Sequence, residues 1–146
     1  MPCEFCNNPA LLDRIIYKDD VVFVVVGNMP IVPGHLLVCP VRHVVGIDDL
    51  RADELQAIHS RLVVLKKALK KMCGAEGFNY AWNEGVMAGQ SVPHLHVHML
   101  PRRSGDTGIY EYEPRKFLYR PGSRATTPDQ ELIAVAEELR VLLTEE

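Results

Sequence analysis

The chain has no long hydrophobic run. Its longest purely apolar stretch is VVFVVV, residues 21–26, far short of the ~20 apolar residues that a membrane-spanning helix needs. It has no excess of positive charge either: 16 Lys and Arg stand against 19 Asp and Glu, for a net charge of −3. A broad basic surface for polymeric nucleic acid is therefore not expected, although local donors can still hold a small anion. The opening MPCEFCNNPA has no basic segment followed by an apolar one. No secretory leader is read there, and a cytoplasmic location is the expectation. Cysteine is sparse, with four in 146 residues, and only Cys3 and Cys6 are close together. In a reducing compartment such a pair is a metal or redox element rather than a structural disulfide. No repeat, low-complexity tract or convincing boundary divides the chain, so a single domain over 1–146 is expected, long enough to bury a core.

What is present alternates between two periods. IIYKDDVVFVVV (15–26) reads as strand, Asp-rich turn and strand, the β-branched run being a strand buried on both faces. After the Pro- and Gly-bearing loop NMPIVPG (28–34), HLLVCP (35–40) is a second buried strand. From Leu50 to Cys73 the spacing of Leu50, Leu55, Ile58, Leu62, Leu65, Leu69 and Met72 is helical. Gly74 is placed to terminate that helix. Lys66, Lys67, Lys70 and Lys71 form its solvated face. FNYAWN (78–83) is a third strand. PHLHVHML (93–100) is a fourth, with Pro93 at its first position, where a missing donor is tolerated. Thr127, Pro128 and Gln130 mark a helix start, predicting a C-terminal helix at about 128–143. Strands joined by loops, with one long central helix and one at the end, predict an α+β fold with a mostly antiparallel sheet.

His94, His96 and His98 occupy alternate positions of the fourth strand. Residues two apart on a strand share a face, so all three line one side. At about 3.3 Å per residue the outer two begin about 13 Å apart, whereas a Zn–N bond is about 2.0–2.1 Å. Two neighbours can share an ion, but at least one of the three needs another task. Cys3 and Cys6 have the C-x2-C spacing of a zinc site. His43, in PVRHV, and one strand histidine are candidates to complete a closed Cys2His2 structural centre. Cys39 and Cys73 read as small packing residues, and His59, alone on the helix, as structural. The remaining strand histidines fit phosphorus chemistry, since a neutral imidazole is a competent nucleophile near pH 7. The AGQS loop just before them (88–91) offers backbone N–H groups and the Gln90 and Ser91 side chains to phosphate oxygens.

These features resemble the histidine-triad (HIT) superfamily of nucleotide hydrolases and transferases. The resemblance lies in GQSVPHLHVHMLPR (89–102), PGHLLVCPVRHV (33–44) and NEG (83–85), and covers about residues 3–106. It implies a five-stranded antiparallel sheet with a long helix, usually as a homodimer. It also implies hydrolysis of nucleoside phosphoramidates or dinucleoside polyphosphates through a nucleotidyl-histidine intermediate, with a purine nucleotide or nucleotide conjugate as partner. By position, His96 is the implied nucleophile. His98 is the implied phosphate contact and proton-transfer assistant, and His35 the implied support from the neighbouring strand. Asn83, Gln90 and Ser91 are the implied phosphate-binding residues. In zinc-containing members of bacterial type, the residues matching Cys3, Cys6, His43 and His94 hold a structural zinc ion. Many members carry Asp or Asn eight residues before the position of His35, where it binds ribose. This chain has Gly27 there, with Asn28 beside it as the substitute. Residues 107–146 form an extension without a match, and YEYEPRKFLYRPGSR within it reads as a substrate cover, a dimer-crossing segment or a plain surface arm. Two other function classes fit the same residues: a nucleotide-binding adaptor without useful catalysis, and a metalloenzyme with catalytic metal on His94 and His96.

Overall fold

A computed structural model of the protein describes residues 3–106 and 128–144. The YEYEPRKFLYRPGSR segment lies outside the described residues. Two compact units are distinguished, residues 1–109 and 110–146. In the first, a one-turn helix α1 (Glu4–Asn7) and a 3-10 segment (Pro9–Arg14) precede strands β1 (Ile15–Lys18), β2 (Val22–Val26) and β3 (Leu36–Pro40). The long helix α2 (Ala52–Cys73) follows, then β4 (Gly77–Ala81) and β5 (Val97–Arg102). In the second unit the described element is helix α3 (Asp129–Thr144).

The sheet has five strands in the order β1-β2-β3-β5-β4, and every pairing is antiparallel. The β1–β2 turn is set by Asp19. Its carboxylate accepts the Val21 and Val22 N–H groups, each at 2.8 Å, and the Tyr17 hydroxyl at 2.8 Å. An acceptor that gathers donors two and three residues on is what a tight turn supplies in place of a ladder. Helix α2 starts where the Glu54 carboxylate accepts the Arg51 N–H at 2.8 Å. It ends on Gly74, whose φ of 65° places it in the left-handed region.

The sheet is covered on both faces, and strand alternation sorts its side chains between them. Val22, Val24, Leu36, Val38, Val97 and Met99 pack beneath Ile58, Leu65 and Leu69 of α2. Phe23, Val25, Leu37 and Cys39 point the other way, where Cys3, Phe5 and Leu11 of the N-terminal segment cover them. The hydrophobic VVFVVV run is thus explained by two separate apolar layers. Of the helical stripe read from sequence, Ile58, Leu65 and Leu69 are buried, whereas Leu55 and Met72 are exposed.

The strand boundaries shift at the site. β4 ends at Ala81, before Trp82 and Asn83. β5 begins at Val97, so His94 and His96 lie ahead of the ladder and exposed Pro93 is not its first residue. The cause lies in β3. Its last residue is Pro40, which has no N–H to give, and whose carbonyl takes the His94 ring N–H at 2.8 Å. The β3–β5 ladder accordingly stops at Val38↔Val97. Side-chain alternation nevertheless continues back through Leu95, which is in the α2-side core.

Gly34 makes the turn into β3 at φ 90°, and a Cβ there would stand 3.0 Å from both Cys73 Sγ and Pro101 Cγ. Gly34→Ala combines a disfavoured backbone region with a close approach, so it should lower unfolding free energy by about 1–3 kcal/mol in urea titrations. An unchanged midpoint would contradict this close packing of the turn.

Candidate active site and metal cluster

Five histidines and two cysteines gather on the sheet face opposite α2. Cross-strand pairing sets His98 opposite Leu37, and His35 lies two residues before Leu37, on the same face. Their rings meet, with His35 Nε2 2.9 Å from His98 Nδ1. The rings of His96 and His98 are 4.9 Å apart between centroids, and those of His94 and His43 are 5.2 Å apart.

Backbone groups fix the tautomers of these rings. A peptide N–H can only donate and a carbonyl can only accept. The Ile31 N–H donates to His35 Nδ1 at 3.2 Å, so neutral His35 carries its proton on Nε2 and donates to His98 Nδ1. His98 therefore presents an Nε2–H. His96 Nδ1 donates to the His94 carbonyl at 2.8 Å, leaving a lone pair on His96 Nε2. His94 Nε2 donates to the Pro40 carbonyl, which leaves the Nδ1 lone pair free for the cysteines. The tautomers of His35, His94, His96 and His98 are thus set before any ligand arrives.

Charge follows the same burial. His98 is pushed down to about 4, first by desolvation and then by neighbouring His96 and His35. His35 is lowered by burial and by His96, and His94 chiefly by burial. These are neutral imidazoles at pH 7.

A candidate metal-binding cluster comprises Cys3, Cys6, His43 and His94, whose donor atoms all lie within 4.8 Å of one another. His94 Nδ1 is 3.5 Å from Cys3 Sγ and 3.4 Å from Cys6 Sγ, and His43 Nδ1 is 3.6 Å from Cys6 Sγ. A tetrahedral ion with bonds of about 2.3 Å to sulfur and 2.0–2.1 Å to nitrogen places its S and N ligands about 3.6 Å apart. The spacing and the donor set both fit a bound metal. His94 belongs to this cluster and His96 does not.

The loop residues divide. The Gln90 amide is engaged at both ends: its oxygen accepts the Gly85 N–H at 2.8 Å and its nitrogen donates to the Val45 carbonyl at 3.2 Å. It braces the 85–90 loop. Asn83 is half-buried, with its amide nitrogen 3.6 Å from where a Gly89 Cβ would stand. Ser91 and Asn28 are exposed. Gly27 is buried, its N–H donating to the His35 carbonyl at 3.1 Å. A Cβ on Gly27 would lie 3.6 Å from the His35 ring, an ordinary contact, so the space beside His35 admits a side chain.

Three contributors were not singled out from sequence: the Pro40 carbonyl, the Ile31 N–H and Phe5. The first two are backbone groups without a residue signature. An aromatic residue inside a C-x2-C pair was the available signal for the third.

The HIT domain model matches residues 9–105. The chain belongs to the HIT domain family. It is 38% identical over 91 residues to the bis(5'-adenosyl)-triphosphatase of Saccharomyces cerevisiae, covering 62% of this chain and 44% of that one. It is 36% identical over 93 residues to the asymmetrical bis(5'-nucleosyl)-tetraphosphatase of Schizosaccharomyces pombe, covering 64% and 51%. The chain thus spans about half the length of these relatives. The histidine triad nucleotide-binding protein of Candida albicans superposes with a TM-score of 0.76 at 24% identity, over 99% of both chains. That likeness is of fold, the five-stranded antiparallel sheet with helices. His35, His43 and the triad fall inside the matched HIT segment, while Cys3 and Cys6 precede it.

The lowered values predict the direction of a pH effect. The unfolded chain takes up protons on His35 and His98 near pH 6.5, which the fold refuses until about 4 at His98. Their contribution to stability is present above pH 6.5 and is lost as pH falls toward 4. Urea unfolding from pH 7.5 to 4 should show this loss, with a shallower slope in His98→Gln; equal slopes would contradict a buried neutral His98.

Proposed function

We propose that this HIT-family chain hydrolyses dinucleoside polyphosphates through a nucleotidyl intermediate on His96. The observation that carries the reading is the His96 Nδ1–H bond to the His94 carbonyl, because it leaves Nε2 as the nucleophile. The Nε2 lone pair attacks phosphorus, a P–N bond forms, and the P–O bond to the departing nucleotide breaks with its electron pair on oxygen. Water then cleaves the P–N bond. The His98 Nε2–H stabilises charge developing on the phosphoryl oxygens, and His35 holds that tautomer from behind. Asn83, Ser91 and Asn28 are assigned to phosphate and ribose, and Gln90 to shaping the loop between them.

The low value at His98 bears on the leaving group. A nucleotide departs as a stable phosphate anion and needs little proton assistance, whereas the amine of a phosphoramidate needs a proton. A neutral His98 favours the first class, which is also the class named for the two yeast relatives. Nucleoside phosphoramidates are the secondary substrates in this reading.

We assign zinc to the Cys3–Cys6–His43–His94 cluster, as in zinc-containing bacterial-type members. A closed S2N2 set suits that ion in a structural role. It would tie the N-terminal segment to the end of β3 and to the histidine run. Cytoplasmic reducing conditions suit these thiolates, and no helix among the described residues is long and apolar enough to cross a membrane.

His96→Ala should lower turnover of diadenosine triphosphate at least 10³-fold, with zinc content unchanged by elemental analysis. Cys3→Ser should lose the zinc. Retained turnover in His96→Ala rejects the nucleophile, and zinc lost there but kept in Cys3→Ser rejects the cluster. Faster cleavage of an adenosine phosphoramidate than of the polyphosphate would reverse the substrate order.

The partner is a second copy of the chain. β4 is an edge strand, Tyr80 and Leu55 are exposed, and they line a groove of ≈ 460 Å³ with His59, Leu62 and Trp82. An edge beside an apolar groove calls for a cover. Sedimentation should give twice the 16.4 kDa chain mass, falling to one chain in Leu55→Glu; a monomeric wild type rejects the assembly.

A further inference from the structure

Phe5 has no part in the chemistry described so far, yet it touches the proposed nucleophile. It sits between Cys3 and Cys6 on α1 and is only 9% exposed. Its ring stands nearly perpendicular to two imidazoles, 5.1 Å and 77° from His96, and 5.8 Å and 85° from His94. Phe23 backs it at 6.4 Å and 72°, and meets His94 at 6.1 Å. Edge-to-face packing at these separations is favourable and directional.

The His96 ring needs this contact. Its Nδ1–H bond to the His94 carbonyl restrains one ring edge, but a single hydrogen bond leaves rocking about its own axis. His98 bounds one flank at 4.9 Å and Phe5 is a second ring packed against it. Phe5 itself is carried by a four-residue helix whose first residue lacks a side-chain cap, too short to be stable alone. The flanking cysteine sulfurs, 3.5 and 3.4 Å from His94 Nδ1, anchor that turn.

We propose that Phe5 is a positioning residue for His96, and that metal held by Cys3 and Cys6 orients the nucleophile by fixing the turn that carries Phe5. This rests on His96 as nucleophile and extends it. The metal acts on the reaction without meeting the substrate, by two routes that converge on one ring: Phe5 against its side, and the His94 backbone at its Nδ1.

The test is 15N NMR of histidine-labelled, zinc-loaded protein at fixed pH, read beside kcat, KM and metal content. Wild type should show His96 as one species with Nδ1 protonated and Nε2 bare. Phe5→Leu should keep its zinc, show exchange-averaged His96 nitrogens, and lose about tenfold in kcat for a small misplacement of the reacting atom. Phe5→Tyr, which retains a ring, should restore most of both. Chelated wild type should show the averaged His96 signal of Phe5→Leu. A single wild-type His96 signal with kcat within twofold in Phe5→Leu overturns the positioning role, and a wild-type signal in metal-free protein overturns the link to the metal. If Phe5→Leu does not fold, Phe5→Met is read by the same criteria. Activity retained in His96→Ala rejects the nucleophile alone, since the NMR comparison reads ring order without turnover.

Discussion

Everything at the site passes through His94. Its ring gives Nε2–H to the Pro40 carbonyl and turns Nδ1 toward Cys3 and Cys6. Its backbone carbonyl receives the His96 Nδ1–H. One fully buried residue thus ties the end of β3, the Cys/His cluster and the His96 ring together. A buried imidazole with one lone pair and one N–H leaves no freedom in this arrangement, because any other tautomer strands a polar group away from water.

The same logic spreads outward in two directions. Toward β3, the Ile31 N–H sets His35, and His35 sets His98. The outcome is a relay in which a peptide group places the His35 proton and the His35 ring places that of His98. Toward the N-terminus, Cys3, Phe5 and Leu11 close the second apolar layer over Phe23, Val25 and Leu37. The Cys/His cluster shares Cys3 with this apolar layer, and the His96 ring contact shares Phe5 with it, so packing and site geometry are coupled on this face. The α2 face is different: its layer is aliphatic and supports the sheet.

Much of this was legible in the residues themselves. Alternation in VVFVVV and HLLVCP fixed which side chains share a layer, since the period of a strand is two. The 3.6 spacing from Leu50 located α2 to within two residues. The mismatch between a strand run of about 13 Å and a metal bond of about 2 Å showed that at least one of the three histidines needs another task, without saying which. Less legible were the ends of strands: β5 was read from Pro93 but starts at Val97. What stopped it early was a side chain occupying the Pro40 carbonyl, a long-range event that local propensity does not encode.

The sequence by itself determined the residue types, the C-x2-C pair, the alternating histidines and the two periodicities, because these depend only on neighbours along the chain. Tertiary structure alone decided which nitrogen of each ring is bare, that Gln90 spends both ends of its amide on Gly85 and Val45, and that Phe5 lies against His96. Those outcomes depend on backbone groups and rings from distant segments. A carbonyl is the same in every residue, so only the fold says where it points.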